Sequence, residues 1–241
     1  MGFAFARNLA TAALALGAGS AALGAGTFSV TPVRIYMNTK DRAVAVTITN
    51  DGSEPVVLQA ELFTWSQTPE GADQLAATDD LILSPPIIKL APNARQVVRL
   101  ARVKQVDIDR QLTYRMVMRQ IPEAVQPKDN IQVPIALALS MPVFVTPPAA
   151  RYRIGCQAQR GQAGTLDVTC RNQGSAYTQV RQIVVRHGER VLGRYEGGDY
   201  ILPGARKTIP IKTEGVLPAS GLELVVTYDD GRSEVFQAPV G

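Results

Sequence analysis

The chain has 241 residues, of which 25 are Lys or Arg and 21 are Asp or Glu, so its formal net charge at neutral pH is +4. The cations are scattered among the acids, which gives little support to nucleic-acid binding. The chain has a single histidine, His187, beside Gly188 in a predicted turn, so multi-histidine metal sites are excluded and Ser-His-Asp and Cys-His catalytic sites are not favoured. Because no phosphate-binding glycine loop or zinc-ligand spacing occurs either, the sequence predicts no enzyme, no cofactor and no bound metal.

Residues 1–26 have the pattern of a secretory signal peptide. One cation, Arg7, precedes the small and apolar run LATAALALGAGSAALGAG, and no acidic residue occurs before residue 27. A membrane-spanning helix is the alternative, but the run is rich in Gly and Ala, and no other stretch approaches the roughly 20 apolar residues that such a helix needs. We therefore expect cleavage after Gly24 or Gly26 and an exported chain without membrane insertion.

Residues 27–147 predict an immunoglobulin-like sandwich. About seven short runs rich in Val, Ile, Thr and Tyr are separated by turn residues, and no amphipathic helix is apparent. The runs are SVTPVRIYM, AVAVTITN, VVLQAELFTW, IIKLAP, RQVVRLARV, LTYRMVMRQI and IQVPIALALSMPVFV. The segment TPPAA that follows breaks the strand pattern, because proline lacks a ladder donor and fixes its own backbone angle. We place the domain boundary there.

Residues 148–241 predict a second, smaller sandwich, so the predicted fold class is all-β with two immunoglobulin-like domains in tandem. Its runs are RYRIGCQAQ, GTLDVTCRNQG, YTQVRQIVVRHGERVLG, GDYILPGARKTIPIKT and LELVVTYDDGRSEVFQAP. His187-Gly188 and Asp230-Gly231 are the predicted hairpin turns. The neighbouring acids Asp229 and Asp230 are interpreted as solvated turn residues rather than as an acid–base pair.

The two cysteines, Cys156 and Cys170, predict one disulfide bond. In an exported chain, an even number of cysteines at short separation indicates a structural staple, here across a single hairpin. A redox or metal site would need a C-x-x-C motif or a histidine partner, and the chain offers neither.

Three stretches of the first block resemble the first domain of periplasmic pilus chaperones of the chaperone-usher pathway. They are TPVRIYMNTKDRAVAVTITN, PPIIKLAPNARQVVRLAR, and the pair YRMVMRQIPEA and IQVPIALALSMPVF. The second stretch is the most diagnostic, because paired prolines, an apolar strand, a proline turn and a V-R-L strand follow in the family's order. The second block is similar to the family only in size and strand content. The short loop between the two runs of the third stretch and the pair Tyr114-Arg115 are more similar to the archaic branch of these chaperones.

The resemblance implies an assembly chaperone of the periplasm that binds pilus subunits and delivers them to an outer-membrane usher. In the family, the last strand of the first domain is donated to a subunit that lacks its own final strand, a strand addition of which these chaperones are a known example. The donated residues would be Ile131, Val133, Ile135, Leu137 and Leu139, which fall on one face at period two. An ordinary core strand is the alternative interpretation. The interleaved Pro and Ala residues favour donation, because they offer little bulk to the chain's own core.

Arg34 is implied by the resemblance to bind the subunit's C-terminal carboxylate near the cleft between the domains. Most members share this task with a lysine, whose position is taken here by Pro142, and no basic residue occurs from 131 to 150. Arg115 is predicted to help in its place, with an ordinary strand arginine as the equal alternative. The sequence leaves open whether the free chaperone caps itself as a homodimer. The rival to the whole interpretation is a structural or adhesive exported immunoglobulin-like protein.

Overall fold

The computed structural model describes residues 28–104, 107–122, 136–162 and 164–238, which form seventeen strands. Over these ranges no helix is long and apolar enough to cross a membrane. The first ten strands are β1 (Phe28–Thr31), β2 (Ile35–Asn38), β3 (Ala43–Asn50), β4 (Val56–Gln67), β5 (Asp73–Ala77), β6 (Leu81–Ser84), β7 (Ile87–Leu90), β8 (Arg95–Arg102), β9 (Leu112–Gln120) and β10 (Ala138–Thr146). The others are β11 (Ile154–Arg160), β12 (Thr165–Asn172), β13 (Thr178–His187), β14 (Arg190–Ile201), β15 (Arg206–Lys212), β16 (Leu222–Tyr228) and β17 (Ser233–Ala238).

Strands β1 to β10 form a first sandwich of two sheets. One sheet has the order β1-β3-β8-β6, and the other has the order β2-β10-β9-β4-β5, with β7 paired to β4. Side chains alternate between buried and exposed along most of these strands, as in a sheet with one face on a core. The buried faces enclose one hydrophobic cluster, which includes Ile48, Leu100, Met116 and Val143.

Strands β11 to β17 form a second sandwich. Its sheets have the orders β11-β12-β15 and β14-β13-β16-β17 and enclose a separate core that includes Val168, Ile183 and Leu224. The predicted fold class, all-β with two immunoglobulin-like sandwiches, is therefore confirmed. The limits 27–147 and 148–241 stay a prediction.

A buried asparagine stabilises the same kind of corner in both sandwiches. Asn50 ends β3 and Asn172 ends β12, and in each case the side-chain amide donates to the backbone carbonyl four residues on, at 2.7 Å. Each side-chain oxygen accepts from the amide of the glycine two residues on, Gly52 or Gly174. Buried polar groups must be paired in this way to avoid a desolvation cost. The two sandwiches thus share this corner although neither sequence block closely repeats the other.

The structure contains the predicted disulfide. Cys156 and Cys170 are direct cross-strand partners of β11 and β12, and their sulfur atoms are 2.00 Å apart. The bond therefore staples one hairpin of the second sandwich.

Removing this disulfide is expected to destabilise the chain by about 3 kcal/mol, since the bond closes a loop of about 15 residues. Because Cys170 is fully buried, the double variant Cys156→Ala and Cys170→Ala avoids burying a hydroxyl. Denaturant unfolding of this variant against the oxidised parent measures the difference. Thiol titration of the native, unreduced parent is the control, and free thiols there would contradict the assignment.

Candidate functional site

The two sandwiches meet along an aromatic layer. Trp65 of β4 and Phe144 of β10 lie on the face of their sheet that points away from the first core, and both are buried together with Leu202 of the second sandwich. The Phe144 ring stacks on that of Tyr177, with centroids 3.9 Å apart, and the Tyr200 ring meets Trp65 edge-on at 5.1 Å. This layer joins the walls of a cleft that holds both predicted anchor arginines.

Arg34 lies just before β2 and reaches across the cleft to the second sandwich. Its Nη1 atom lies 2.6 Å from Oδ2 of Asp229, and its Nη2 atom donates to Oε1 of Gln179, also at 2.6 Å. The Arg34 side chain keeps 30% of its surface exposed, against 16% for Asp229. Arg34 is therefore at the position where the resemblance predicts a carboxylate anchor, and a carboxylate of the chain itself already occupies it. Its role toward a subunit stays a prediction.

Tyrosine hydroxyl groups surround this ion pair. The hydroxyl groups of Tyr36 and Tyr177 lie 2.6 Å apart, and that of Tyr177 also donates to Oδ2 of Asp229 at 3.3 Å. Burial raises the pKa of Tyr177 well above its usual value, so its hydroxyl stays a neutral donor. Burial alone would lower the pKa of Arg34, but Tyr36, Tyr200, Tyr177 and Asp229 together raise it. The guanidinium is consequently a permanent cation.

Arg115 lies on the same sheet face as Phe144, opposite Pro142 in the register of β9 and β10. Its guanidinium carbon is 3.7 Å from the centroid of the Trp65 ring, a cation–π contact. Only 14% of its side chain is exposed, and its nearest acid is Asp73 at 3.8 Å. Burial lowers the pKa of Arg115, partly opposed by Asp73 and Tyr200. An arginine remains charged even so.

Both arginines approach the ring of Tyr200. The distance from the guanidinium carbon to the ring centroid is 5.8 Å for Arg34 and 5.4 Å for Arg115. The structure thus brings the two predicted anchor residues into one region of the cleft. Arg34 is the more accessible of the two, whereas Arg115 is largely covered, so a direct bond from Arg115 to a subunit stays a prediction.

Only part of the predicted donor strand lies within the described residues. Ile131, Val133 and Ile135 lie outside them, whereas Leu137 and Leu139 lie inside. The ladder with β9 extends to a hydrogen bond from the Gln120 amide to the Leu137 carbonyl at 2.8 Å.

Along the odd-numbered face of β10, exposure increases toward the strand's beginning. Met141 is 5% exposed in the first core, Leu139 is partly buried against that core, and Leu137 is 39% exposed. The prediction that the small residues face the chain's own core is wrong here, because Ala138 is exposed and Leu139 faces the core. The odd-numbered face of β10 is therefore buried in this sandwich at Met141 and exposed at Leu137.

A second set of contacts fixes the sandwiches on the other side of the aromatic layer. The side chain of Gln67 donates to the Tyr200 carbonyl and accepts from the Leu202 amide. Lys207 donates to the carbonyl of Gly71 at 3.2 Å. Gly71 has a φ of +88°, and a Cβ atom there would lie 2.6 Å from a backbone oxygen of the second sandwich, so only glycine fits this close approach. The cleft is thus bordered by contacts that do not depend on Arg34.

The sequence model of the family described as "Pili and flagellar-assembly chaperone, PapD N-terminal domain" matches residues 27–151, just over half of the chain. The chain belongs to this family. No curated protein matches the chain at a significant level.

Solved structures of pilus chaperones share the fold of this chaperone over both sandwiches. The chaperone-tip adhesion subunit complex CsuC-CsuE, from the archaic Csu pili of Acinetobacter baumannii, matches with a TM-score of 0.65 and 18% identity, covering 89% of this chain and 99% of the other. The E. coli chaperone DraB matches with a TM-score of 0.56 and 19% identity, covering 90% of this chain and 97% of the other. The SafB chaperone, in complex with the Salmonella enterica pilin SafA, matches with a TM-score of 0.56 and 15% identity over 88% and 96%.

Sequence reasoning missed the residues that surround Arg34 in the chaperone. Asp229 was interpreted as a solvated turn acid, which is wrong, since it pairs with Arg34. Its neighbour Asp230 does the turn's work, accepting from the Arg232 backbone amide at 3.0 Å. Two of the partners of Arg34 lie 195 and 145 residues away along the chain, and no local pattern carries such a pairing.

Proposed function

We propose that this chaperone captures pilus subunits in the periplasm by donating the strand that leads into β10, and that it passes them to an outer-membrane usher. The observation that carries the proposal is the gradient along β10, from the buried Met141 to the exposed Leu137 on one face. A strand whose apolar face leaves its own core can fill a groove in a partner, and chaperone–pilin pairs are themselves an established example of this mode of recognition.

The sequence continues this apolar face beyond the described part of the strand. Val133 and Ile135 follow the same alternation as Leu137. Burying three such side chains contributes about 5 to 9 kcal/mol, at roughly 1.5 to 3 each, before the ordering cost of association is subtracted. This is enough to decide binding. Subunit folding on the donated strand, rather than nucleotide hydrolysis, would supply the driving force.

In this proposal, Arg34 binds the subunit's terminal carboxylate and sets the register of the donated strand. A guanidinium is suited to this task, because it can hold a carboxylate with two parallel hydrogen bonds. Most family members have a second cation at the position of Pro142, and this chaperone lacks it there. Arg115, which stacks on Trp65, contributes a positive charge to the same cleft. This arrangement supports a placement in the archaic branch.

The usher and a second chaperone copy are further proposed partners. The first sandwich exposes Ile87 and Ile121 at neighbouring strand ends, since the amide of Ile121 bonds to β4 at Val57 and Ile87 pairs with Gln59 of the same strand. Apolar residues exposed together are suited to a protein contact. In the absence of subunits, the donor face of one chaperone could be covered by another copy.

Co-expression with a pilus subunit tests the proposal. We expect a stable one-to-one complex to co-purify from the periplasm when the chaperone is produced with the subunit from its own gene neighbourhood, and the subunit alone to aggregate. An adhesive or structural protein, the alternative function, would leave the subunit unbound. A chaperone with Leu137→Asp serves as the matched control, because it removes the proposed donor contact at an exposed position.

A further inference from the structure

The guanidinium of Arg34 is already hydrogen-bonded in the free chaperone. Both terminal nitrogens are used, one by the Asp229 carboxylate and one by the Gln179 side-chain oxygen, each at 2.6 Å. An end-on bidentate bond to an incoming carboxylate uses the same two nitrogens. A carboxylate that binds end-on therefore competes with groups of the chain itself.

Asp229 is held in place for this contact. It directly follows β16, and its backbone amide donates to the carbonyl of Gln179 at 3.0 Å. One carboxylate oxygen, Oδ1, accepts from the amide of Gln179, and the other, Oδ2, accepts from both Arg34 and the hydroxyl of Tyr177. The carboxylate thus enters the cleft from a rigid strand end, and most of its side chain is covered.

We propose that Asp229 is an internal substitute for the subunit's terminal carboxylate, and that subunit capture exchanges the one carboxylate for the other on Arg34. This inference rests on the proposed function. It adds a regulatory element to the anchor: the second sandwich supplies the group that keeps Arg34 neutralised until a subunit arrives, and that closes on Arg34 again when the subunit leaves.

The exchange has a definite energetic consequence. Because a carboxylate replaces a carboxylate, the net gain from the anchor is a difference between two similar bonds, rather than the whole of one. Binding is thereby weaker than an unoccupied arginine would allow, which suits a chaperone that must release its subunit. The contacts of Gln67 and Lys207 on the other side of the aromatic layer do not involve Arg34, so the sandwiches stay joined while the exchange takes place.

A different arrangement makes the opposite prediction. If Asp229 only orients Arg34, so that a subunit binds the remaining N–H groups, then removing its charge weakens subunit binding. If Asp229 competes, removing its charge strengthens binding. The variant Asp229→Asn keeps the shape of the side chain and therefore separates the two arrangements.

The test uses the C-terminal strand of the subunit that co-purifies with the chaperone, as a peptide of about ten residues, made once as the free acid and once as the amide. Calorimetry should show tighter binding of the free acid to Asp229→Asn than to the parent by about tenfold, the difference between a charged and a neutral competitor, and unchanged binding of the amide. Asp230→Asn is the matched control, because it makes the same charge change one residue away and has no contact with Arg34. Equal or weaker binding of the acid to a folded Asp229→Asn, with its melting temperature checked, would overturn the exchange. Equal binding of acid and amide by Asp229→Asn would also overturn it, because Arg34 is then free of its competitor and should favour the acid, while strand donation is judged separately by subunit co-purification.

Discussion

Replacing Arg34 by alanine is expected to weaken subunit capture more than about 30-fold, because truncating one partner of a charge pair that the bound subunit covers costs about 2 to 5 kcal/mol. In this variant, the subunit's carboxylate would enter the cleft beside the Asp229 carboxylate with no cation to neutralise either group. Because Arg115 lies largely covered over Trp65, we expect that it does not replace the lost bond. Pull-down of co-expressed subunit and binding of its C-terminal peptide measure the loss.

The same change should affect folding only slightly. Arg34 and Asp229 are partly exposed, and solvent-screened pairs of this kind contribute about 1 kcal/mol or less, so the melting temperature is expected to fall by no more than about 4 °C. Arg232→Ala, which removes an exposed arginine from its pair with Asp230, is the control for lost charge. Normal capture by a folded Arg34→Ala variant would show that this chaperone anchors its subunit elsewhere.

Local patterns predicted most of the strands but not all of them. β5 and β6 were missed, since all five side chains of β5 are exposed and β6 has only four residues, so neither shows a long alternation. The predicted runs left residues 194–197 outside any strand, but β14 runs unbroken from Arg190 to Ile201. Gly193 is required there by packing, because a Cβ atom would lie 2.6 Å from a backbone oxygen of Lys212. A glycine that permits close approach and one that ends a strand look alike in a sequence.

The candidate site was predictable only where the resemblance named its residues. Arg34 could be singled out by its place in the opening strand, but Gln179 and Asp229 could not, because their contact with it depends on how the two sandwiches are joined. The orientation of Arg115 depended on the same junction. For β10 the alternation correctly grouped Leu137 with Leu139, but it could not say which face covers the core, since a face that leaves a core and a face that stays in it have the same period.

The variant Leu137→Asp is expected to abolish subunit capture and to leave the chaperone folded. Leu137 is 39% exposed, so an aspartate there keeps its hydration in the free chaperone. In a subunit groove the carboxylate would be buried without a partner, at a cost that exceeds the lost apolar contact. Met141→Asp, two pairs further along the same face at 5% exposure, should instead unfold the protein, because its carboxylate enters the chaperone's own core. Ile135→Asp is expected to behave as Leu137→Asp does.

An aspartate on the other face of β10 provides a control for this prediction. Ala138→Asp adds the same charge one residue from Leu137, on the opposite and exposed face of β10, so both folding and capture should survive it. Thermal unfolding and subunit co-purification are measured on all four variants. If Leu137→Asp lowers the melting temperature as severely as Met141→Asp does, the whole face belongs to the chaperone's own core, because an exposed donor residue can carry a charge in the free protein and a core residue cannot.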